Sequence, residues 1–487
     1  TVWRDGLWVR LWEMGVKGKS WRIIKALYSN VSCSVRVGDR LTRRVRLRQG
    51  VRQGCPLSPV LFNCFIDELS VRLGKAGYGV SLGVDRDLHS LLYADDVAVL
   101  ADSPEALQRL IQVVDDYCRQ WRMDINLTKS KAMVVGKREC ACVCGSVSGS
   151  CSCSCSCESH LQGWTCRGKE VEVVEEYKYL GLWFNSRLQW GNHINKTVKK
   201  ASGRSTSLRR LLTNGRVIPR AKLLVWFSYV RPLLDYGCEV WKPDSVQARR
   251  LESIQTQAGS LIFKLNVKTH LRAVRALMKC TSLDTRRSGF RLRYLAKLFS
   301  YDESRLARYA AFLPAVKSKI KGRRNKLWFS ELEALIKGDD MLRGAYSGLI
   351  REVNRNGGVL PQEATVMGPD GEQWEYHPLA DFNKRVDKWM WSREKTGLVE
   401  AGRQARSTLR LLARSLEGAD WPYKIRMSRF PNQGPNQIRL RLLSGTSALN
   451  ETLSKFRDRD PSCPRPECKE LEDAAHFLLR CPEYDAL

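Results

Sequence analysis

Apolar residues between Trp3 and Tyr28 recur at helical spacing, interrupted at Gly15 and Gly18, so the chain is predicted to open on helix. CSVRVG (33–38) reads as a short strand, and LTRRVRLRQGVRQG (41–54) alternates Val or Leu with Arg. LFNCFIDELSVRL, following Pro59, predicts a helix with one buried face. HSLLYADDVAVLAD (89–102) sets two apolar runs around an acidic pair, the pattern of a β-hairpin. Ser103-Pro104-Glu105 then supplies a capping hydroxyl, a first-turn proline and an acid near the positive helix end. Leu107, Leu110, Ile111, Val114, Cys118 and Trp121 continue that helix at its 3.6-residue period. A loop and strand follow in DINLTKSKAMVVGK (124–137), and VEVVEEYKYLGLWFN (171–185) predicts a strand pair. Beyond Asn192 the spacing is helical and basic, with breaks near 354–361 and at a Gly-Pro-Asp-Gly turn, 368–371.

Composition sharpens this picture in one respect. The 487 residues carry 82 Lys and Arg against 51 Asp and Glu, a formal charge of +31. Such a surplus repels itself in a compact state unless a polyanion offsets it, and phosphates do so while releasing condensed counterions. Nucleic acid is the expected partner. No run of about 18 uninterrupted apolar residues appears, so no membrane span is expected. Of the 17 cysteines, eight lie between Cys140 and Cys166 and three in a C-terminal Cys/His cluster; the rest are scattered among apolar residues. That usage fits an intracellular, reducing compartment, with the nucleus the expected site for a nucleic-acid partner.

Two segments carry chemistry. Asp95 and Asp96 sit side by side at the tip of the predicted hairpin. Adjacent carboxylates in an apolar setting repel and lose hydration, and a divalent cation relieves both penalties. Mg²⁺ suits them, because it takes carboxylate oxygens together with waters and substrate phosphates. Alone, the pair could equally be a polar turn. The second segment, RQGVRQGCPLSP (48–59), combines Gly50 and Gly54 with Pro56, Pro59 and the amide of Gln53. It reads as a loop that a ligand could approach closely, placed before a helix.

GVRQGCPLSPVLFN (50–63), YADDVAVLAD (93–102), INLTKSK (125–131) and YKYLG (177–181), in this order and spacing, resemble reverse transcriptases of non-LTR (LINE-type) retrotransposons. Weaker likeness continues in RRLESIQTQAGSLI (249–262) and RLRLLSGTSALN (439–450). The resemblance implies an RNA-directed DNA polymerase that uses an RNA template, a DNA primer or target, dNTPs and two Mg²⁺ ions. It assigns Asp95 and Asp96 to the catalytic metals and puts Tyr93 beside them near the primer terminus. Gln53 and Gly54 would face the incoming nucleotide and templating base. Lys129 or Lys131 would sit near the triphosphate, and Tyr177, Lys178, Tyr179, Leu180 and Gly181 would grip the primer. The family's third catalytic aspartate precedes a segment resembling TVWRDGLW, where this sequence begins, and Asp5 does not replace it. The expectation is therefore an N-terminally truncated chain with an incomplete two-metal site and little polymerase activity by itself. The alternative is a non-catalytic nucleic-acid-binding remnant of such an element.

The expected fold is α+β: a right-hand polymerase with partial palm and fingers, an antiparallel sheet and a helical thumb. The divisions are partial fingers and palm (1–139), a Cys/Ser-rich low-complexity insert (140–170) and a primer-grip hairpin (171–191). A thumb (192–280), a helical basic extension (281–445) and a Cys/His knuckle (446–487) follow. In that knuckle Cys463, Cys468, His476 and Cys481 offer three thiolates and an imidazole, a closed tetrahedral set for structural Zn²⁺.

Overall fold

The computed structural model describes residues 2–82, 86–136, 163–266, 269–302, 304–312, 328–367 and 373–404. Cys463, Cys468, His476 and Cys481, and the Cys/Ser tract as far as residue 162, lie outside the described residues. Packing divides the chain into two compact units. Of the described residues, one holds those up to Tyr179 together with Phe184–Leu188; the other holds Leu180–Trp183 and those from Gln189 onward.

The first unit begins with α1 (Arg4–Glu13) and α2 (Gly18–Leu27), separated at Gly15 and Gly18, both with positive φ. A nested ribbon follows, in which β1 (Ser32–Cys33) pairs with β4 (Val45–Arg46) and β2 (Arg36–Val37) pairs with β3 (Arg40–Leu41). The long helix α3 (Ser58–Lys75) buries Leu61, Phe65, Ile66, Leu69 and Leu73, one stripe of its surface, against α1. β5 (Val80–Ser81) pairs with β6 (Asp87–Leu88), and β7 (Ser90–Tyr93) with β8 (Asp96–Val99). Helix α4 (Pro104–Gln120) starts as the sequence predicts, with the Ser103 hydroxyl accepting from the Ala106 amide. Leu7, Trp8, Leu61, Phe65, Leu110, Tyr117 and Trp121 meet in the core of this unit.

Residues 163–170, placed above in the insert, are part of the fold. β9 (Thr165–Cys166) and β10 (Lys169–Glu170) form a ribbon, and Trp164, Cys166 and Val171 pack with Ala132 beneath α4. The Arg167 guanidinium reaches the buried Asp115 carboxylate at 2.6 Å and the Met123 carbonyl at 3.1 Å. Burial alone would raise the Asp115 carboxyl, but hydrogen bonds from Arg167 and Arg119 outweigh it and hold the group below the ordinary carboxylate value. The low-complexity composition hides this ion pair, because it depends on a partner 52 residues away.

β11 (Glu176–Tyr179) and β12 (Leu182–Asn185) form a ribbon through which the division between units runs. The helices of the second unit are α5 (Gly191–Ser207), α6 (Arg209–Thr213), α7 (Pro219–Tyr229), α8 (Arg231–Asp235), α9 (Ser245–Phe263), α10 (Leu271–Met278), α11 (Leu283–Phe299) and α12 (Leu306–Phe312). They continue with α13 (Trp328–Lys337), α14 (Asp340–Arg355) and, after the ribbon of β13 (Ala364–Met367) and β14 (Gln373–Tyr376), α15 (Pro378–Gln404). Its apolar residues gather in two clusters, one around Trp226, Trp241, Leu251 and Ile262, the other around Leu295, Leu349, Val386 and Trp389. Helix α11 contributes Leu283 to the first and Leu292 and Leu295 to the second. Its N-terminus receives two carboxylates: Glu394 accepts from the Ser282 amide at 2.8 Å, and Glu252 from the Leu283 amide at 2.8 Å. Arg275 lies between those acids, 3.2 Å from each.

Mixed helices and small antiparallel ribbons agree with the expected α+β class. Among the described residues every sheet has two strands. The strands are two to four residues long; Leu92, Val97 and Val99 of β7–β8 pack on the core of the first unit, whereas β1–β4 are exposed throughout.

Candidate active site

The acidic turn is built by strand alternation. In the β7–β8 register Leu92 pairs with Val97 and Ser90 with Val99, and Leu92, Val97 and Val99 pack against the core of the first unit. Leu91 with Ala98 and Tyr93 with Asp96 therefore share the opposite, outer face. Ala94 and Asp95 form the two-residue connection. Ala94 has φ 52°, a left-handed conformation that a side chain occupies at a cost of roughly 1–2 kcal/mol. Tyr93, Asp95 and Asp96 are exposed. The pair thus stands in solvent rather than among apolar side chains, and the loss of hydration expected from the sequence is absent, because the turn lifts both acids clear of the strands.

Tyr179, on β11, is a predicted site residue that the charge of this turn reaches. Burial first, and the charge of Asp96 second, raise its phenol above the ordinary tyrosine value. On the same strand the Tyr177 hydroxyl donates to the Lys129 carbonyl at 3.2 Å, while Lys178 is exposed. The two candidate lysines separate clearly. Lys131 is held by Glu172 at 2.5 Å, whereas exposed Lys129 makes no ion pair among the described residues. The Asn126 side chain accepts from the Lys129 amide at 3.2 Å and fixes its loop.

The glycine-rich loop is anchored at both ends. The Ser58 hydroxyl donates to the Arg52 carbonyl at 2.6 Å and lies 3.2 Å from the Tyr28 hydroxyl. The Arg4 guanidinium donates to the Gly50 carbonyl at 3.0 Å. Gln53 and Gly54 are exposed at its crest, Gly54 with φ 83°. No hydrogen bond joins them to Asp95 or Asp96 among the described residues.

Leu180 and Gly181 belong to the second unit, where sequence reasoning missed their partners. The Tyr236 hydroxyl donates to the Leu180 carbonyl at 2.6 Å. Gly181 has φ 85°, and a Cβ there would stand 2.9 Å from the Tyr236 ring; Gly237 has φ 65°, and a Cβ there would stand 2.8 Å from Leu182. Each glycine makes room for the other segment's side chain. His193, buried between Trp190 and Trp241, accepts the Trp183 amide on Nδ1 at 3.3 Å. The Tyr-Gly dipeptide at 236–237, after an apolar helical run, was the available signal. Of the predicted basic stretch, Lys199, Lys200, Arg209 and Arg210 are exposed, while Lys196 lies over Trp183 and Arg204 over Tyr229.

The first unit thus presents an exposed acid pair on a turn strained at Ala94, a partly buried tyrosine that feels the Asp96 charge, and an anchored Gln-Gly loop. Residues 1–184 match the family described as "Reverse transcriptase (RNA-dependent DNA polymerase)". The chain is 25% identical over 249 residues to the "Retrovirus-related Pol polyprotein from type-1 retrotransposable element R2" of Popillia japonica, covering 50% of this chain and 38% of that protein. It is 25% identical over 247 residues to the "Probable RNA-directed DNA polymerase from transposon BS" of Drosophila melanogaster, covering 48% and 25%. With the "RNA-directed DNA polymerase from mobile element jockey" of Drosophila funebris it shares 22% identity over 275 residues, covering 54% and 27%. The matched stretches thus span well under half of each of these relatives. Residues 1–184 thus carry a reverse-transcriptase domain, and over about half its length the chain is similar to proteins of non-LTR retrotransposons. No helix among the described residues is long and apolar enough to cross a membrane.

Proposed function

We propose that this chain is the polymerase portion of a non-LTR retrotransposon protein that catalyses RNA-templated nucleotidyl transfer to a primer 3′ hydroxyl. The observation that carries the reading is the acid pair on its strained outward turn, with Tyr179 close enough for the Asp96 charge to act on it. Polymerases of this family use Mg²⁺ and act on nucleic-acid templates and primers. Among the described residues no cluster of three or more metal-ligating side chains occurs. Two exposed carboxylates nevertheless fit Mg²⁺, which takes one or two protein carboxylates and completes its shell with water and substrate phosphate. When bound, the metal would lower the charge at the reacting phosphate and favour the hydroxyl's deprotonation.

Asp95 and Asp96 would hold that ion at the turn, and the outward face of β7–β8 leaves room for a primer end over Tyr93. Lys129, rather than the Glu172-bound Lys131, is the cation available to a triphosphate. Gln53 and Gly54 would meet the incoming nucleotide and templating base, and residues 177–181 the primer. Residues 192–280 serve as a thumb whose exposed Lys199, Lys200, Arg209 and Arg210 follow a duplex backbone. Residues 281–445 form the basic extension. Cys463, Cys468, His476 and Cys481 would hold structural Zn²⁺.

The test is primer extension on an RNA template by a polypeptide containing this chain. Asp95→Asn and Asp96→Asn should each lower extension by about 100-fold or more, since metal-borne charge stabilisation is worth several kcal/mol. Primer–template affinity should change little. Extension unaffected by both substitutions would refute the reading.

A further inference from the structure

We propose that the nested ribbon of β1–β4 is a docking element for B-form duplex DNA, entering the major groove arginine-first. Every residue of these four strands is exposed. Val35, Val37, Leu41 and Val45 are 60%, 68%, 63% and 60% exposed, although β-branched and Leu side chains in a hairpin ordinarily find a packing partner. Residues 31–48 contain six arginines and a single acid, Asp39. Among the described residues none of those arginines forms an ion pair, and Arg46 reaches only the Asn30 amide oxygen, at 2.8 Å. The register sets Arg36 opposite Leu41 and Val37 opposite Arg40. Cross-strand partners share a face, so both faces present an arginine beside an apolar group.

The ribbon is also firmly mounted. The Arg4 guanidinium donates to the carbonyls of Leu47 at 2.7 Å, Gly50 at 3.0 Å and Tyr28 at 3.3 Å. The Leu47 amide donates to the Val31 carbonyl at 2.8 Å. A mounted, unpaired, cationic projection matches a polyanion, and its chemistry selects which one. Residues 31–48 contain no Phe, Tyr, Trp or His, so the stacking surface that holds unpaired bases is missing. The A-form major groove is too narrow for side chains to read. The B-form major groove, about 12 Å wide, admits a two-stranded ribbon; there arginine pairs with guanine and an apolar side chain meets the thymine methyl. This site is separate from Asp95 and Asp96, and it stands or falls independently of the polymerase reading.

The experiment is fluorescence anisotropy with the full chain across a salt series, using a short DNA duplex, the RNA duplex of the same sequence and a single-stranded RNA. In the combined variant Arg36→Gln, Arg40→Gln, Arg43→Gln and Arg44→Gln, DNA-duplex affinity should fall at least about tenfold, with the salt slope reduced by about 3–4. Both RNA probes should change less than about twofold. The corresponding Arg→Lys variant should keep the slope but lose preference among DNA sequences, because lysine cannot pair bidentately. Since all four side chains are exposed, circular dichroism should show an unchanged fold. Unaltered DNA binding by the Gln variant would overturn the proposal. So would an equal loss on the RNA duplex or on single-stranded RNA.

Discussion

Ala94 gives the acidic turn its character at the scale of single residues. Glycine would relax its φ of 52°, yet alanine is present, and backbone strain of this kind collects where a side chain must be aimed. His193 is the residue whose state can be read most directly. Burial lowers its pKa below the ordinary histidine value, and its Nδ1 accepts from the Trp183 amide, so the proton rests on Nε2. The unfolded chain therefore binds a proton before the folded chain does. The stability this site contributes is whole above about pH 6.5 and is lost as pH falls through the lower folded value. His270 is lowered in the same direction, by burial and by Arg272 and Arg275. Unfolding free energies measured between about pH 7.5 and 5.5 should fall for the native chain and fall less for His193→Phe, which has no imidazole to charge. Equal slopes would show that His193 titrates as if exposed. The sequence makes Asp95 and Asp96 legible, because two acids between apolar runs break a local pattern. It is silent on His193, whose role comes from Trp183, Trp190 and Trp241 closing around it.

At the scale of elements, hairpins and helices are legible where local chemistry decides them. Ser103 caps α4, and the β7–β8 hairpin follows apolar alternation. What stays hidden is set by distant partners: the ribbon at 163–170 docks through Arg167 and Asp115, and the turn at 180–181 is fixed by Tyr236. That turn carries its own expectation. Gly181→Ala adds both left-handed strain and contact with the Tyr236 ring, and should destabilise the second unit by about 2 kcal/mol. Tyr236→Phe removes only one hydrogen bond on a half-exposed side chain and should lose about 0.5–1 kcal/mol. Urea denaturation distinguishes the two; similar small losses would mean that the turn relaxes away from Tyr236.

Across the whole molecule, the charge of +31 is spread over both units rather than confined to one tail. It appears as the arginine ribbon at 31–48 and again as the exposed lysines and arginines of α5 and α6. Composition revealed the surplus, whereas its separation into distinct cationic surfaces required the fold. The expected division at residue 280 is softer than the sequence suggested. Helix α11 serves both apolar clusters of the second unit, and its N-terminus is held by Glu252 and Glu394 from two other helices. The central claim concerns the first unit: a turn built to present two carboxylates to a metal. Its most direct measurement replaces Mg²⁺ with Fe²⁺ under ascorbate and maps where the backbone is cut by locally generated hydroxyl radicals. Cleavage at residues beside Asp95 and Asp96, suppressed by excess Mg²⁺ and abolished in Asp95→Asn with Asp96→Asn, is the expected result. Cleavage elsewhere only, or a pattern indifferent to those substitutions, would contradict it.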